Sequence, residues 1–503
     1  IQFHTMNRQQ PIARLFDVVV AKDGSGDYTT IQAALDAVPA NRTAPWLIFI
    51  KNGTYEELVR IPSNKPFIHL IGQDKDKVKI TFAINCSSSA SDLGWEYSKS
   101  KFGMSDCSCM VSESTDFYAE NISFENKYGV EAQNGPQALA IRTANDRFAF
   151  YHCNLRSFQD TWQTTSTDNQ RHYAYKCRIE GAVDYIYNNG NVLVEQCTLY
   201  NLRKGSVIVA PSHKAATNWG YVFRDCTIDG NTSAIEGNNA FGRPWHNAPQ
   251  AVFINSKVLI PMKTEGWLDM GAIPKIFAEY NSFNANGQLL DLSGRKTTYS
   301  YTDSGTGEVI TGNVEKNVLT DEEAAQYSYE NVIMASDGWD PRQYFEPVAK
   351  PENVKAENKY LTWNACDYAI CYVVLRNDSV IGFTTTPSFS DNSAELNQNY
   401  SYVIKAVNEY GSLSEASEVC NTIFTGFTKF NYNQIAKPVI VVNENRELII
   451  SKIGQGTNIS LFSIEGKKIF SDISTSNEYR HAFNSLKGIF VLRLNENSYK
   501  IIF

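Results

Sequence analysis

The sequence predicts an all-β molecule, a right-handed parallel β-helix followed by two small β-sandwich domains, and three observations predict it. Segments of the form aromatic/apolar-x-x-Cys/small-x-Leu/Ile recur at 117–124, 150–155, 175–179, 194–199, 223–228, 253–258 and 277–283. Their starts lie between 19 residues (175 to 194) and 33 residues (117 to 150) apart. The units are short, β-branched or aromatic, and end in Asn, Gly or Asp, which makes each one strand and turn rather than a helix pair. Second, two aspartates keep one register against this repeat. Asp160 and Asp184 each stand seven residues after a cysteine, in Tyr151-His-Cys-Asn-Leu155 and Tyr175-Lys-Cys-Arg-Ile179. Equivalent positions in a coil stack lie one strand spacing apart, roughly 4.8 Å, so the two acids face each other across adjacent coils. Third, past about Tyr344 alternating strands at sandwich spacing replace the repeat.

Taken in order, 17–27 reads as a strand and a Gly turn. Thr30-Ile-Gln-Ala-Ala-Leu-Asp-Ala-Val38 has helical spacing, a Thr start and Pro39 just past its end, which predicts a helix capping the open end of the stack. Trp46-Leu-Ile-Phe-Ile50 and Phe67-Ile-His-Leu-Ile71 are the next buried strands. The β-helix domain covers 1–346. A second domain, 347–428, carries the strands Cys371-Tyr-Val-Val-Leu375 and Tyr400-Ser-Tyr-Val-Ile-Lys-Ala-Val-Asn408, and a third covers 429–503.

Composition excludes several classes. With 43% hydrophobic and 20% charged residues over 503 positions the chain has ample material for a large core. No apolar run of about 18 residues is present, so no membrane span is expected, and a net charge of −8 disfavours nucleic acid as a partner. The chain starts at Ile1 without Met or a signal peptide, which fits a processed protein. The ten cysteines are too sparse for a disulfide scaffold, and Cys107-Ser-Cys109 carries little weight for zinc. Cys153, Cys177, Cys197 and Cys226 read as small apolar residues stacked inside the coil. A Cys177–Cys197 bridge is geometrically permitted and left open.

The stretch 133–245 holds four short blocks: Gly135-Pro-Gln-Ala-Leu-Ala140, Gln159-Asp-Thr-Trp162, Gly181-Ala-Val-Asp-Tyr-Ile-Tyr187 and Phe241-Gly-Arg-Pro-Trp245. Together with Gly53-Thr-Tyr-Glu-Glu57 they resemble, in order and with plausible gaps, the motif set of the pectin methylesterases over about 17–295. The resemblance implies a right-handed parallel β-helix, hydrolysis of the methyl esters of homogalacturonan, and no metal or organic cofactor. It assigns Asp160 as the acid, Asp184 as the nucleophile, Arg243 as the holder of Asp184, and Gln137 and Gln159 as oxyanion donors. Trp245, with Trp162, offers a flat apolar face to a sugar ring, Tyr185 is a further substrate contact, and the hydroxyls that Tyr185 and Tyr187 add to the family's Phe positions are expected to alter the pocket. Two departures stand out. The family's Asp-Phe-Ile-Phe-Gly is here Asp184-Tyr-Ile-Tyr-Asn188, where Asn is the next most tolerant residue of positive φ; and Met270 stands where the family's late Gly-Trp-x-x-Trp has its second Trp.

The chemistry stands without the resemblance. Ester hydrolysis needs a nucleophile or base, a proton donor and hydrogen-bond donors where negative charge develops. The core region has no Gly-x-Ser-x-Gly elbow, and His152 and His172 have no matching Ser. Two carboxylates one strand spacing apart cannot both ionise easily, so one is held protonated and the other charged. Two other readings compete. A β-helix lyase would want calcium-binding acids and a basic side chain, and a glycosidase an acid pair flanking the glycosidic bond; a non-catalytic glycan-binding adhesion solenoid would have no need of both acids. The second domain resembles a fibronectin type III module, and 429–503 resembles the C-terminal sorting-type β-domains of secreted Bacteroidetes proteins, which implies bacterial export to the periplasm, the cell surface or the medium. The expected partner is methyl-esterified pectin, met by a monomer.

Overall fold

The computed structural model describes residues 8–93, 100–425 and 438–503. They fall into two compact units, Ile1–Phe424 and Thr425–Phe503. Among the described residues the first unit is built on three parallel sheets of eleven, eight and seven strands, and neighbouring strands of each come from successive turns of the chain. One coil runs through Phe148–Tyr151 in the first sheet, Asn154–Arg156 in the second and Trp162–Gln163 in the third; the next runs through Arg171–Tyr175, Arg178–Gly181 and Ile186–Asn188. This is a parallel β-helix.

The recurring sequence pattern has its cause at the corner between the first and second sheets. There each coil turns on one residue in the left-handed region: Asn121, His152, Lys176, Gln196, Asp225, Asn255 and Asn281, all with φ between 51° and 55°. A non-glycine residue in this region costs roughly 1–2 kcal/mol, and stacking holds several of these corners in place. His152 Nδ1 lies 2.8 Å from Asn121 Oδ1, while Asn255 and Asn281 donate side-chain amides to Asp225 at 3.0 Å and Asn255 at 2.9 Å. The next residue in each coil, among them Cys153, Cys177, Cys197 and Cys226, is buried inside. No bridge joins Cys177 to Cys197. All four thiols are free and turned to the backbone, with Cys197 Sγ accepting from Cys177 N–H at 3.2 Å and donating to the Ala174 carbonyl at 3.4 Å. The disulfide that forms is Cys86–Cys107, across 21 residues.

The predicted cap is a helix over Ile31–Asp36, with Thr30 Oγ1 accepting from Ala33 N–H and with Ile31, Ala34 and Leu35 buried. Glu57 accepts the N–H groups of Ile31 and Gln32, both at 3.0 Å, and Tyr55 donates its hydroxyl to the Lys51 carbonyl at 2.9 Å. The Gly53-Thr-Tyr-Glu-Glu57 motif therefore secures the capped end and takes no part in the chemistry described below.

The first sheet is apolar on both faces, as a sheet covered on both sides must be. Its inward residues, such as Phe117, Phe148 and Phe150, fill the coil. The outward ones, such as Tyr118, Tyr173, Leu193, Val222 and Val252, pack under Tyr327, Val332, Ile333, Trp339 and Tyr344 of the following tail, and under Ile370, Val373 and Val407 beyond it. Arg342 pairs with Glu195 at 2.8 Å, and Arg224 donates to the Tyr327 carbonyl at 2.8 Å. Residues from 347 form sheets of three and four antiparallel strands. Their 408–413 loop sits on the coils: His69 Nδ1 lies 2.9 Å from the Tyr410 carbonyl, Leu413 N–H donates to Glu120 at 3.3 Å, and Asn408 donates to the Tyr344 carbonyl at 3.0 Å. Gly411 (φ 94°) is required there, because a Cβ would meet Ile71 at 3.0 Å in a backbone region other residues avoid. No break in packing falls between 346 and 347. Burial beneath this loop pushes the Glu120 carboxyl up to about 7.

In the second unit, Val439–Val442, Glu447–Ser451 and Glu478–Ala482 form one antiparallel sheet, and Lys468–Ile473, Asn458–Ser463, Ile489–Leu494 and Asn497–Ile502 another, around Leu448, Ile450, Ile459, Leu461 and Leu492. The expected boundary at 428/429 lies outside the described residues.

Candidate active site

Between the second and third sheets two successive coils turn on an aspartate. Asp160 (φ 62°) and Asp184 (φ 49°) occupy the same position, because Trp162 pairs with Ile186, Gln159 bridges to Val183, and Asp160 N–H donates to the Val183 carbonyl at 3.0 Å. Both backbones lie in a region that costs energy to hold, as functional turns often do. Thr161 Oγ1 fixes the turn by donating to the Glu180 carbonyl at 2.8 Å. Gly181 is there because a Cβ would lie 2.3 Å from that of Tyr185.

Arg243 follows the third-sheet strand Ala240–Gly242, two coils beyond Asp184, and its N–H is held by the Val209 carbonyl at 3.0 Å. Gly242 lets the strand approach, since a Cβ would come within 2.4 Å of a Val209 methyl. From this position the guanidinium grips Asp184 with both arms, Nε to Oδ1 at 2.8 Å and a terminal nitrogen to Oδ2 at 2.6 Å. Such a fork fixes orientation as well as charge. Gln137 lies just before the strand Leu139–Thr143, beside Gln159 through the bond from Ala138 N–H to the Gln159 carbonyl at 3.1 Å.

The two acids sit in different fields. Asp160 is 6% exposed, and burial, followed by the neighbouring Asp184 charge, pushes its carboxyl well above the usual range. Burial pushes Asp184 up as well, against the hydrogen bonds and charge of Arg243, which favour its ionised form. The two carboxyls thus differ in what acts beside burial: the neighbouring Asp184 charge adds to it at Asp160, and the Arg243 fork opposes it at Asp184.

Asp160, Asp184, Gln137, Gln159, Arg243 and Trp245 line one cleft of about 270 Å³. Trp162 and Tyr185 do not. Both are fully buried inside the coil, Trp162 donating its indole N–H to Thr143 at 2.9 Å and Tyr185 its hydroxyl to Asn201 at 3.4 Å. The pleat turns Trp162 and Ile186 inward, so the outward positions are the next ones, Gln163 and Tyr187, and these line the cleft with Met104, Ala210 and Met270. Sequence reasoning left Gln163 out and took Tyr187 only as one of two added hydroxyls that alter the pocket, although each stands three residues after one of the acids and so keeps their register. Met104, three residues before the half-cystine Cys107, carried no sequence signal. Trp245 is half-buried, its ring edge-on to Tyr187 at 5.7 Å.

A sequence profile of the family described as Pectinesterase matches residues 17–322. Pectinesterase 31 of Arabidopsis thaliana is 32% identical over 272 residues, 53% of this chain and 82% of that protein. Pectinesterase QRT1 of the same plant is 34% identical over 274 residues, 52% of this chain and 68% of that protein. The structure of a pectin methylesterase from carrot superposes with a TM-score of 0.54 at 25% identity, over 66% of this chain and 96% of that one.

Proposed function

Since the chain belongs to the pectinesterase family and is an esterase that removes methyl esters from pectin, we propose that Asp184 is its nucleophile and Asp160 its general acid and base. The observation that carries this is the two-armed grip of Arg243 on Asp184 beside a second acid whose carboxyl burial pushes well above the usual range. An Asp184 oxygen attacks the ester carbonyl carbon, and the amide N–H groups of Gln137 and Gln159 stabilise the oxyanion. One such donor contributes roughly 3–4 kcal/mol to the transition state. The tetrahedral species expels methoxide, which takes the Asp160 proton and leaves as methanol, so the uronate is now an acyl group on Asp184. Asp160, now a carboxylate, removes a proton from water as that water attacks the uronate carbonyl. Breakdown frees the uronic acid and returns Asp184 as carboxylate and Asp160 as acid. Trp245 supplies a face for a sugar ring.

The substrate is methyl-esterified homogalacturonan, bound by a monomer. Residues 347–428 form a fibronectin type III-like module, a reading that the three- and four-stranded antiparallel sheets after 347 support, and 429–503 a sorting-type β-domain. The protein works outside the cell or in an oxidising envelope, a reading that the Cys86–Cys107 disulfide supports. The curated relatives described above are plant proteins and lend no support to a bacterial source.

Highly methylated polygalacturonan treated with the protein in the presence of a chelator should release methanol and acid, keep its chain length and gain no unsaturated ends. Chain cleavage without methanol would instead mark a lyase or glycosidase, and binding without product an adhesion protein.

A further inference from the structure

Two side chains on the floor of the cleft have no role in the chemistry above. Tyr187 is 2% exposed, and its hydroxyl has no hydrogen-bond partner among the described residues; the same holds for the buried Oε1 of Gln163. Of the buried side-chain oxygens and nitrogens left without a partner among the described residues, these are the two that line the cleft. Buried polar groups are ordinarily paired, and an unpaired one at a binding site calls for a partner brought by the ligand. Their placement says what kind. Gln163 and Tyr187 are direct register partners on adjacent third-sheet strands, so their backbones lie one strand spacing apart, roughly 4.8 Å, and their side chains leave the same face. Side chains that leave one face of a sheet at neighbouring positions can both reach a single oxygen seated between them. It must donate, because an amide oxygen only accepts, and it can at the same time accept from the tyrosine hydroxyl. An alcohol meets both demands, whereas a carboxylate, an ester or an ether oxygen cannot donate.

We propose that Tyr187 and Gln163 together hold one free ring hydroxyl of the bound uronate chain, so that the enzyme selects sugar units whose hydroxyl at this point is not acylated. The proposal rests on the pectin esterase reading. Acylation of that hydroxyl removes the proton given to Gln163 and adds bulk in a cleft that Ala210 and Trp245 also line.

The test compares methanol release from two methyl-esterified polygalacturonans, matched in methylation, one with acetylated ring hydroxyls and one without. Wild-type turnover of the unacetylated chain is itself the check on the esterase reading, because Asp184 and Asp160 serve it without either side chain. Tyr187→Phe, which keeps the ring and its packing, should lower kcat/KM on the unacetylated chain about three- to tenfold, the worth of one net hydrogen bond, and change the acetylated chain by less than twofold. Gln163→Met should behave alike. Because both side chains hold the same hydroxyl, the double variant should lose less than the product of the two single losses. Equal losses on both substrates would overturn the proposal, and so would an unchanged preference in a Tyr187→Phe protein of normal thermal midpoint.

Discussion

The outer faces of the first and third sheets belong to the same coils and went opposite ways. On the first sheet the outward residues are large and apolar, Tyr118, Tyr173, Leu193 and Val222, and the chain itself returns to cover them. On the third the corresponding outward row is Gln163, Tyr187, Ala210 and Arg243, and it lines an open cleft. A β-helix offers every coil the same backbone, so the difference lies entirely in which side chains the pleat turns out. It teaches that stability and chemistry can be assigned to separate faces of one repeat, with residues on one face changed at little risk to the other.

Four measurements can break or sharpen that division. Asp184→Asn should lower the rate of methanol release by on the order of 10⁴-fold or more while the thermal midpoint barely moves; a folded variant with near-normal turnover would remove the nucleophile from this face. Gln159→Ala should lower it by roughly a hundred- to a thousandfold through loss of one oxyanion donor, and a change of under about threefold would put the site elsewhere. Ending the chain after Phe424 should leave turnover within about twofold, whereas ending it at 346 keeps Tyr327 to Tyr344 in place but bares the part of the first sheet that Ile370, Val373 and Val407 cover, and should drop the thermal midpoint by on the order of 10 °C, since burying even a few aliphatic side chains is worth several kcal/mol. If both truncations melt alike, the cover is not stabilising.

The smallest effect concerns Glu120, beneath the 408–413 loop. Its folded pKa is raised to about 7 by burial, so between the ordinary carboxyl range and 7 the native state binds a proton that the unfolded chain does not. The stability that this proton gives is present in full at low pH and lost as pH rises through about 7. Glu120→Gln should therefore raise the thermal midpoint by a few degrees at pH 8 and leave it nearly unchanged at pH 4; the reverse ordering would mean that Glu120 is ionised beneath the loop.

What could be read in the sequence follows the same division. The seven left-handed corners dictate a small or apolar residue just after them, which is why the repeat showed through Cys153, Cys177, Cys197 and Cys226. Asp160 and Asp184 were legible because their offset from that corner is constant. Trp162 was misjudged for a physical reason. The third-sheet strand Trp162–Gln163 has two residues, too few for alternation to declare which is inward. The cover of the first sheet was hidden because a strand buried on both faces shows no alternation at all. The Cys86–Cys107 bridge joins loop segments whose approach no spacing rule dictates.

A stack in which each coil touches only its neighbours should melt from its ends, one turn at a time. This one is laced. From the last strand, Lys316–Val318, the chain doubles back to Arg224 at Tyr327, to Arg171 at Asp337 and to Glu195 at Arg342, and finally sets its 408–413 loop against Glu120, His69 and Ile71 near the start. Fraying of either end must loosen a strap that also holds the middle. The consequence is cooperativity: a linear array of weakly coupled turns becomes a closed circuit that unfolds as one body, and the turns bearing Asp160 and Asp184 lie inside it.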